Sequence, residues 1–140
     1  MKILLAVDGS TFTKKMLAYL ATHEEVFAAG NAYTLLSVSA PLPSRARAAV
    51  GAEIANGYYA EESSKVTQPV VKFLDNHGIV PKVVHKVGQA GEQIAKVAAA
   101  GKFDLVVMGS HGHSALGNLV MCSVATQVLA HCTVPVLLVR

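Results

Sequence analysis

The sequence predicts an α/β protein: one doubly wound, five-stranded parallel sheet with helices on both faces. Three observations carry this expectation. Strand-length apolar runs recur five times, as strands covered on both faces require. Helical patterns with short links separate them, supplying the crossovers of a parallel sheet. Finally, the third run contains Pro81 and the fifth ends the given chain, so both suit edges. With right-handed crossovers, the order 3-2-1-4-5 satisfies that placement.

The first run, Lys2 to Val7, is broken by Asp8-Gly9-Ser10. Ser10 or Thr11 can cap a helix with Met16, Leu17, Leu20 and Ala21 on one face, extending to about Ala28. Gly30-Asn31 is a fitting stop by the left-handed cap rule. Ala32 to Val38 reads as the second strand. Pro41 and Pro43 then predict a loop over Ser39 to Gly51, holding Arg45 and Arg47.

A long helix is expected from within Ala52–Tyr58 to Asn76, with Val66, Val70, Phe73 and Leu74 on one face and a kink at Pro69. Ile79 to Val87 reads as the third strand. Gly88 to Glu92 introduces a short helix with Ile94, Val97 and Ala98 inward, ending at Gly101. Phe103 to Met108 is the fourth strand, Ser123 to His131 a helix, and Val134 to Arg140 the fifth strand.

The stretch of chemical interest follows the fourth strand. Gly109-Ser110-His111-Gly112 leads, by way of a longer link, to a helix start at Ser123. Glycines permit close approach of backbone N–H groups, and a helix N-terminus adds unpaired donors with partial positive charge, so the arrangement suits an anion. In the predicted order the chain reverses direction between the first and fourth strands. Open α/β sheets bind ligands beyond the strand carboxyl ends at such a switch, here Val7-Asp8-Gly9 and Met108-Gly109.

Composition narrows the alternatives. The chain has 140 residues, 52% apolar and 15% charged, which excludes disorder and fits one domain over 1–140. No apolar run approaches the ~20 residues of a membrane span, and the short run after Met1 lacks a signal-peptide pattern, so a cytoplasmic protein is expected. A net charge of +3 with scattered basic residues offers no nucleic-acid footprint.

Cys122 and Cys132 would stand roughly 15 Å apart along one helix, too far for a disulfide, and no ligand set for zinc accompanies them. His111 and His113, with no third ligand nearby, read as solvent-facing; His23, His77, His85 and His131 read as surface or helix-end residues. Ser110 and Ser123 lack an elbow motif and a fixed histidine, so capping or phosphate contact suits them better than nucleophilic catalysis. Asp8 could cap the first helix or hold a ribose.

Ala6-Val7-Asp8-Gly9-Ser10, Val107 to Gly112, Ser123-Val124-Ala125 and Val134 to Val139 together resemble the universal stress protein family over the whole chain. The family's nucleotide-binding branch has Gly, two residues, Gly, nine residues, then Gly and Ser or Thr. Here Gly109, Gly112 and Ser123 match, and Cys122 stands where the motif has glycine. The resemblance implies ATP as ligand, with or without Mg²⁺. Val7 and Asp8 would flank adenine and ribose, and Val38 would contact adenine. Met108 and Gly109 would lie under ribose and phosphates; Ser110, His111, Gly112, Cys122, Ser123 and Val124 complete the implied site.

If the glycine serves a positive φ, Cys122 is strained by about 1 kcal/mol or more; if φ is negative, cysteine is tolerated. A stress or signalling protein with weak ATP hydrolysis at most, or a dimeric interaction module of the same fold without nucleotide, are the two readings. A phosphoryl-transfer enzyme would want a Walker lysine or a general base beside the loop, and none is visible. The resemblance also implies a homodimer through Val134–Arg140, an apolar edge strand prone to pairing.

Overall fold

The computed structural model describes residues 1–113 and 121–140. Its elements alternate: β1 (Lys2–Val7), α1 (Thr11–Thr22), β2 (Ala32–Ser39), α2 (Ser44–Asp75), β3 (Lys82–Val87), α3 (Ala90–Ala100), β4 (Leu105–Gly109), α4 (Ser123–His131) and β5 (Val136–Val139). All pairings are parallel, and the order is β3-β2-β1-β4-β5, as the sequence predicts.

Period-two alternation of the central strands divides the interior in two. Ile3, Leu5, Val7, Leu35 and Val107 face one side, where α1 and α2 cover them with Met16, Leu17, Leu20, Val70 and Leu74. Leu4, Ala6, Leu36, Val106 and Met108 face the other, against Ile94 and Ala98 of α3 and Ala125 and Val128 of α4. Burial on both faces is why these strands read as unbroken apolar runs. Among the described residues, no helix is long and apolar enough to cross a membrane.

Several boundaries differ from expectation for local reasons. α1 stops at Thr22 rather than near Ala28, because side chains take its last carbonyls. Thr22 Oγ1 donates to Ala18 O, and the His23 ring meets Tyr19 O at 2.8 Å. The chain then turns on the His23 carbonyl, which seats Phe27 in the core.

The expected loop over Ser39 to Gly51 is largely helical: α2 begins at Ser44, directly after Pro43, so Arg45 and Arg47 lie on a helix. Pro43 ends the extended link and leaves the next residues free to wind. The break within α2 falls at Gly51 (φ 81°, ψ 164°), where only glycine is unstrained, and not at Pro69. β3 starts after Pro81, which therefore costs no ladder hydrogen bond.

His85 does not behave as a surface residue. Its ring is half-buried, with Nδ1 3.0 Å from Ser37 Oγ, which in turn meets Ser63 Oγ of α2 at 2.8 Å. Nε2 is buried without a hydrogen-bond partner, and burial pushes the imidazole below its ordinary pKa.

Candidate functional site

The carboxyl ends of β1, β2 and β4 converge on one cleft. Leu36, Ala6 and Met108 are register neighbours across three strands and form its floor. Val38 extends that floor, and Ile94 with Ala90 of α3 closes one wall. Asp8, Thr13 and His111 bring polar groups to the cleft, beside Gly109, Gly112 and Val124. The cleft is shallow and open to solvent, with about 90 Å³ that water-sized molecules can occupy.

Asp8 is held by the turn that leads into α1. Its Oδ1 accepts from Ser10 N–H at 2.9 Å and from the Thr13 hydroxyl at 3.0 Å. That hydroxyl accepts in turn from Asp8 N–H at 3.2 Å. Asp8 is therefore not the cap of α1, a position Ser10 holds; one oxygen closes the turn ahead of the helix, and the residue lines the cleft. Ser10 occupies the N-cap position but its hydroxyl makes no cap bond.

The glycines act by closeness. A Cβ on Gly109 would stand 2.6 Å from Phe12 Cβ and 3.3 Å from Phe12 C, because α1 crosses directly over the end of β4. A Cβ on Gly112 would stand 2.6 Å from Asp8 Oδ2. The loop is thus pressed against the β1–α1 turn.

Cys122 is the N-cap of α4 with φ −77° and ψ 163°, so the cysteine is unstrained. Its Sγ accepts from Ala125 N–H at 3.4 Å, the contact a serine would make at a helix start. Its own N–H donates to Ser110 O at 3.1 Å and therefore points into the fold rather than toward a ligand. Ser123 and Val124, at the first two helical positions, carry the N–H groups with no acceptor inside the helix.

Of the expected site residues, Val7, Asp8, Val38, Met108, Gly109, His111, Gly112 and Val124 meet in the cleft. Ser110 does not: it is buried, its N–H given to Val139 O and its hydroxyl 2.8 Å from His111 Nδ1. Cys122 and Ser123 stand beside the cleft rather than lining it. The intervening link, residues 114–120, lies outside the described residues.

Of the two histidines expected to face solvent, His113 is exposed and His111 is half-buried. His111 packs on Phe12, ring centroids 4.8 Å apart, and His113 Nε2 lies 2.6 Å from Asp8 O. Ala6, Thr13, Leu36, Ala90 and Ile94 line the cleft without having been expected there. Leu36 and Ala6 were legible as inward-facing by alternation; Ala90 and Ile94 depend on how α3 docks. Among the described residues, no cluster of three or more His, Cys, Asp or Glu side chains suits a metal ion.

An open parallel sheet with a cleft at its switch point defines a class of doubly wound α/β domains. Within that class the chain belongs to the universal stress protein family, whose family model matches residues 1–140.

Universal stress protein Slr1230 of Synechocystis is 33% identical over 141 residues, covering 99% of this chain and 42% of that protein. Universal stress protein MJ0577 of Methanocaldococcus jannaschii is 32% identical over 80 residues, 57% of this chain and 49% of that protein. In these alignments the chain spans less than half the length of the curated relatives it matches.

The solved structure of MJ0577 superposes with a TM-score of 0.79 at 29% identity, covering 99% of this chain and 94% of that one. A universal stress protein in complex with cAMP (TM-score 0.67, 17% identity, 100% and 97% covered) shares the fold. So does a family member from Arabidopsis thaliana with AMP bound (0.68, 18%, 99% and 90%).

Proposed function

We propose that this chain binds an adenine nucleotide, with ATP as the first candidate, at the switch-point cleft, and acts as a stress-response or signalling protein. The observation that supports this best is the division of the cleft. Leu36, Ala6, Met108, Val38 and Ile94 give it an apolar lining on which a purine could pack, while Asp8 offers a carboxylate to ribose hydroxyls. Beyond it, Gly112 and the start of α4 at Ser123 and Val124 present backbone suited to phosphate. That relatives of this fold were solved with AMP and with cAMP agrees with such a ligand.

Calorimetric titration of nucleotide-stripped protein with Mg-ATP tests the reading, alongside Asp8→Ala and Gly112→Val. Micromolar binding lost in both variants is expected. Absence of heat and of any thermal shift up to millimolar ATP would leave the nucleotide-free interaction module as the reading to adopt.

We also propose a two-fold dimer through β5. Val106 N–H donates to Pro135 O and Ser110 N–H to Val139 O, so the alternate residues Val136 and Leu138 turn their backbone groups to the open edge.

A further inference from the structure

Helices that return over a parallel sheet end beside the amino ends of its strands. α1 and α2 do so at Thr22 and Asp75, at the pole opposite the cleft. Between them lies a second recess. Leu20, Phe27, Leu74 and Ile79, all buried, form its wall, with Phe73 beside them. Water-sized molecules can occupy about 260 Å³ of it, against about 90 Å³ of the cleft. A water needs about 10–15 Å³ of such space and at least two polar partners. A wall this apolar supplies few partners, so the recess suits an apolar body better than water.

Its walls are tied in place. After α1 the chain turns on the His23 carbonyl, which accepts from Phe27 N–H at 3.0 Å. Asn31 Nδ2 donates to Val26 O and the Tyr33 hydroxyl to Ala28 O, both at 3.0 Å, which pins the loop. Across from it, Gly78 N–H donates to Asp75 O and Ile79 N–H to Leu74 O, both at 2.9 Å, closing the end of α2. The two walls meet where a Cβ on Gly78 would stand 3.9 Å from Ala29 Cβ.

The polar groups of the recess share one sign. Glu24 brings a carboxylate to the lining. His77 Nδ1 lies 2.8 Å from Phe73 O, which can only accept, so the neutral ring carries its hydrogen there and leaves Nε2 an acceptor. Residues 20–31 and 72–79, which frame the recess, hold three carboxylates, Glu24, Glu25 and Asp75, against one ammonium, Lys72. Among the described residues the ion pairs fall on Lys65 and Lys96, so none of these three carboxylates is in one. The carbonyl ends of α1 and α2 each add partial negative charge, about half an elementary charge per helix. α1 has no basic residue in its last turn to offset it.

We propose that this recess is a second ligand site, separate from the nucleotide cleft, for a small primary amine with an aromatic body. The body packs among Leu20, Phe27, Phe73, Leu74 and Ile79, and the ammonium meets Glu24 and the helix ends at the mouth. Phe27 and Phe73 add aromatic contact for both parts of such a ligand. The same field rejects an acid on the same body, which gives the site its selectivity. The proposal stands apart from the nucleotide reading, because the two sites lie at opposite ends of the sheet.

The test titrates the whole chain with three probes of one shape, followed by amide NMR: 2-phenylethylammonium, uncharged 2-phenylethanol and anionic 3-phenylpropionate. The ammonium is expected to bind with a dissociation constant of about 1 mM, as suits so small a ligand. Its shifts should fall within residues 20–29 and 73–79 and spare Asp8, Gly109 and Gly112. The propionate should bind at least about tenfold more weakly, with the alcohol between them. Glu24→Gln, on the surface, should weaken the ammonium several-fold and leave the alcohol unchanged. Ala21→Leu, which adds bulk to the lining, should weaken all three with a cooperative melt retained.

Equal affinity for ammonium and propionate would overturn the proposal, as would an ammonium affinity unmoved by Glu24→Gln. Absence of shifts with every probe, or shifts confined to the cleft, would overturn it too. If dilution without any probe shifts the same resonances, a second copy of the chain occupies the recess and the amine reading falls. None of these outcomes bears on ATP titration, so the nucleotide reading is judged separately.

Discussion

Gly112 and Asp8 are packed so closely that a single methyl group on the glycine would stand 2.6 Å from the carboxylate Oδ2. The carboxylate cannot simply swing aside, because Oδ1 is tied to Ser10 N–H and the Thr13 hydroxyl. Gly112→Ala should therefore either push the loop off the turn or break those bonds. The expected cost is about 1–2 kcal/mol of stability, from one or two hydrogen bonds, in urea titration. Under the proposed function, nucleotide affinity should fall at least about tenfold, since 1.4 kcal/mol at the site is tenfold in binding. Unchanged stability and unchanged affinity would show that the loop has slack there.

Cys122→Ser should stabilise the protein. The backbone at this position already has the extended φ/ψ of an N-cap, and the thiol serves as a long, weak acceptor for Ala125 N–H. A serine oxygen is a stronger acceptor, so a gain of roughly 0.5–1 kcal/mol is expected in the urea midpoint. Cys122→Gly, the reversion toward the family motif, should cost about as much, because φ is −77° and glycine adds only chain entropy. A more stable glycine variant would refute this reading of the cap.

His85 should make the fold acid-sensitive. Burial holds its pKa below the ordinary 6.5, so the unfolded chain takes up the proton first. Its contribution is complete above pH 6.5 and is lost as pH falls from there through the lowered folded value. His85→Gln should flatten the pH dependence of the urea midpoint between pH 7 and pH 5. An identical slope in the variant would assign the acid sensitivity elsewhere.

Val136→Pro tests the dimer. Proline is tolerated at the first residue of an edge strand, and here it deletes an N–H that faces away from β4. A monomer by light scattering with a cooperative melt is expected. A dimer that survives the substitution would move the interface away from β5. Charged substitutions at Val136 and Leu138 are less clean, because both side chains pack against the α3–α4 side of the core.

Much of this was legible in the residues. Continuous apolar runs such as Ile3 to Val7 need cover on both faces, and that alone implies helices above and below a parallel sheet. The switch point, and with it Asp8, Gly109 and Gly112, followed from strand order. The failures share a cause. Ser44–Val50 was mistaken for loop because Pro41 and Pro43 mask a helix that starts immediately after them. The end of α1 was misplaced because His23 and Thr22 take carbonyls by side chain, which periodicity does not register.

The sequence by itself determined the fold class, the sheet order and the place of a cleft at the switch point, because these depend on hydrophobic period and chain connectivity, which are local or nearly so. Only the tertiary structure decided which partners the polar groups find. It turned the Cys122 N–H inward to Ser110, set His113 on the Asp8 carbonyl, and half-buried His85 against Ser37. Those pairings join residues up to 105 positions apart, and no local pattern encodes a hydrogen bond across that distance.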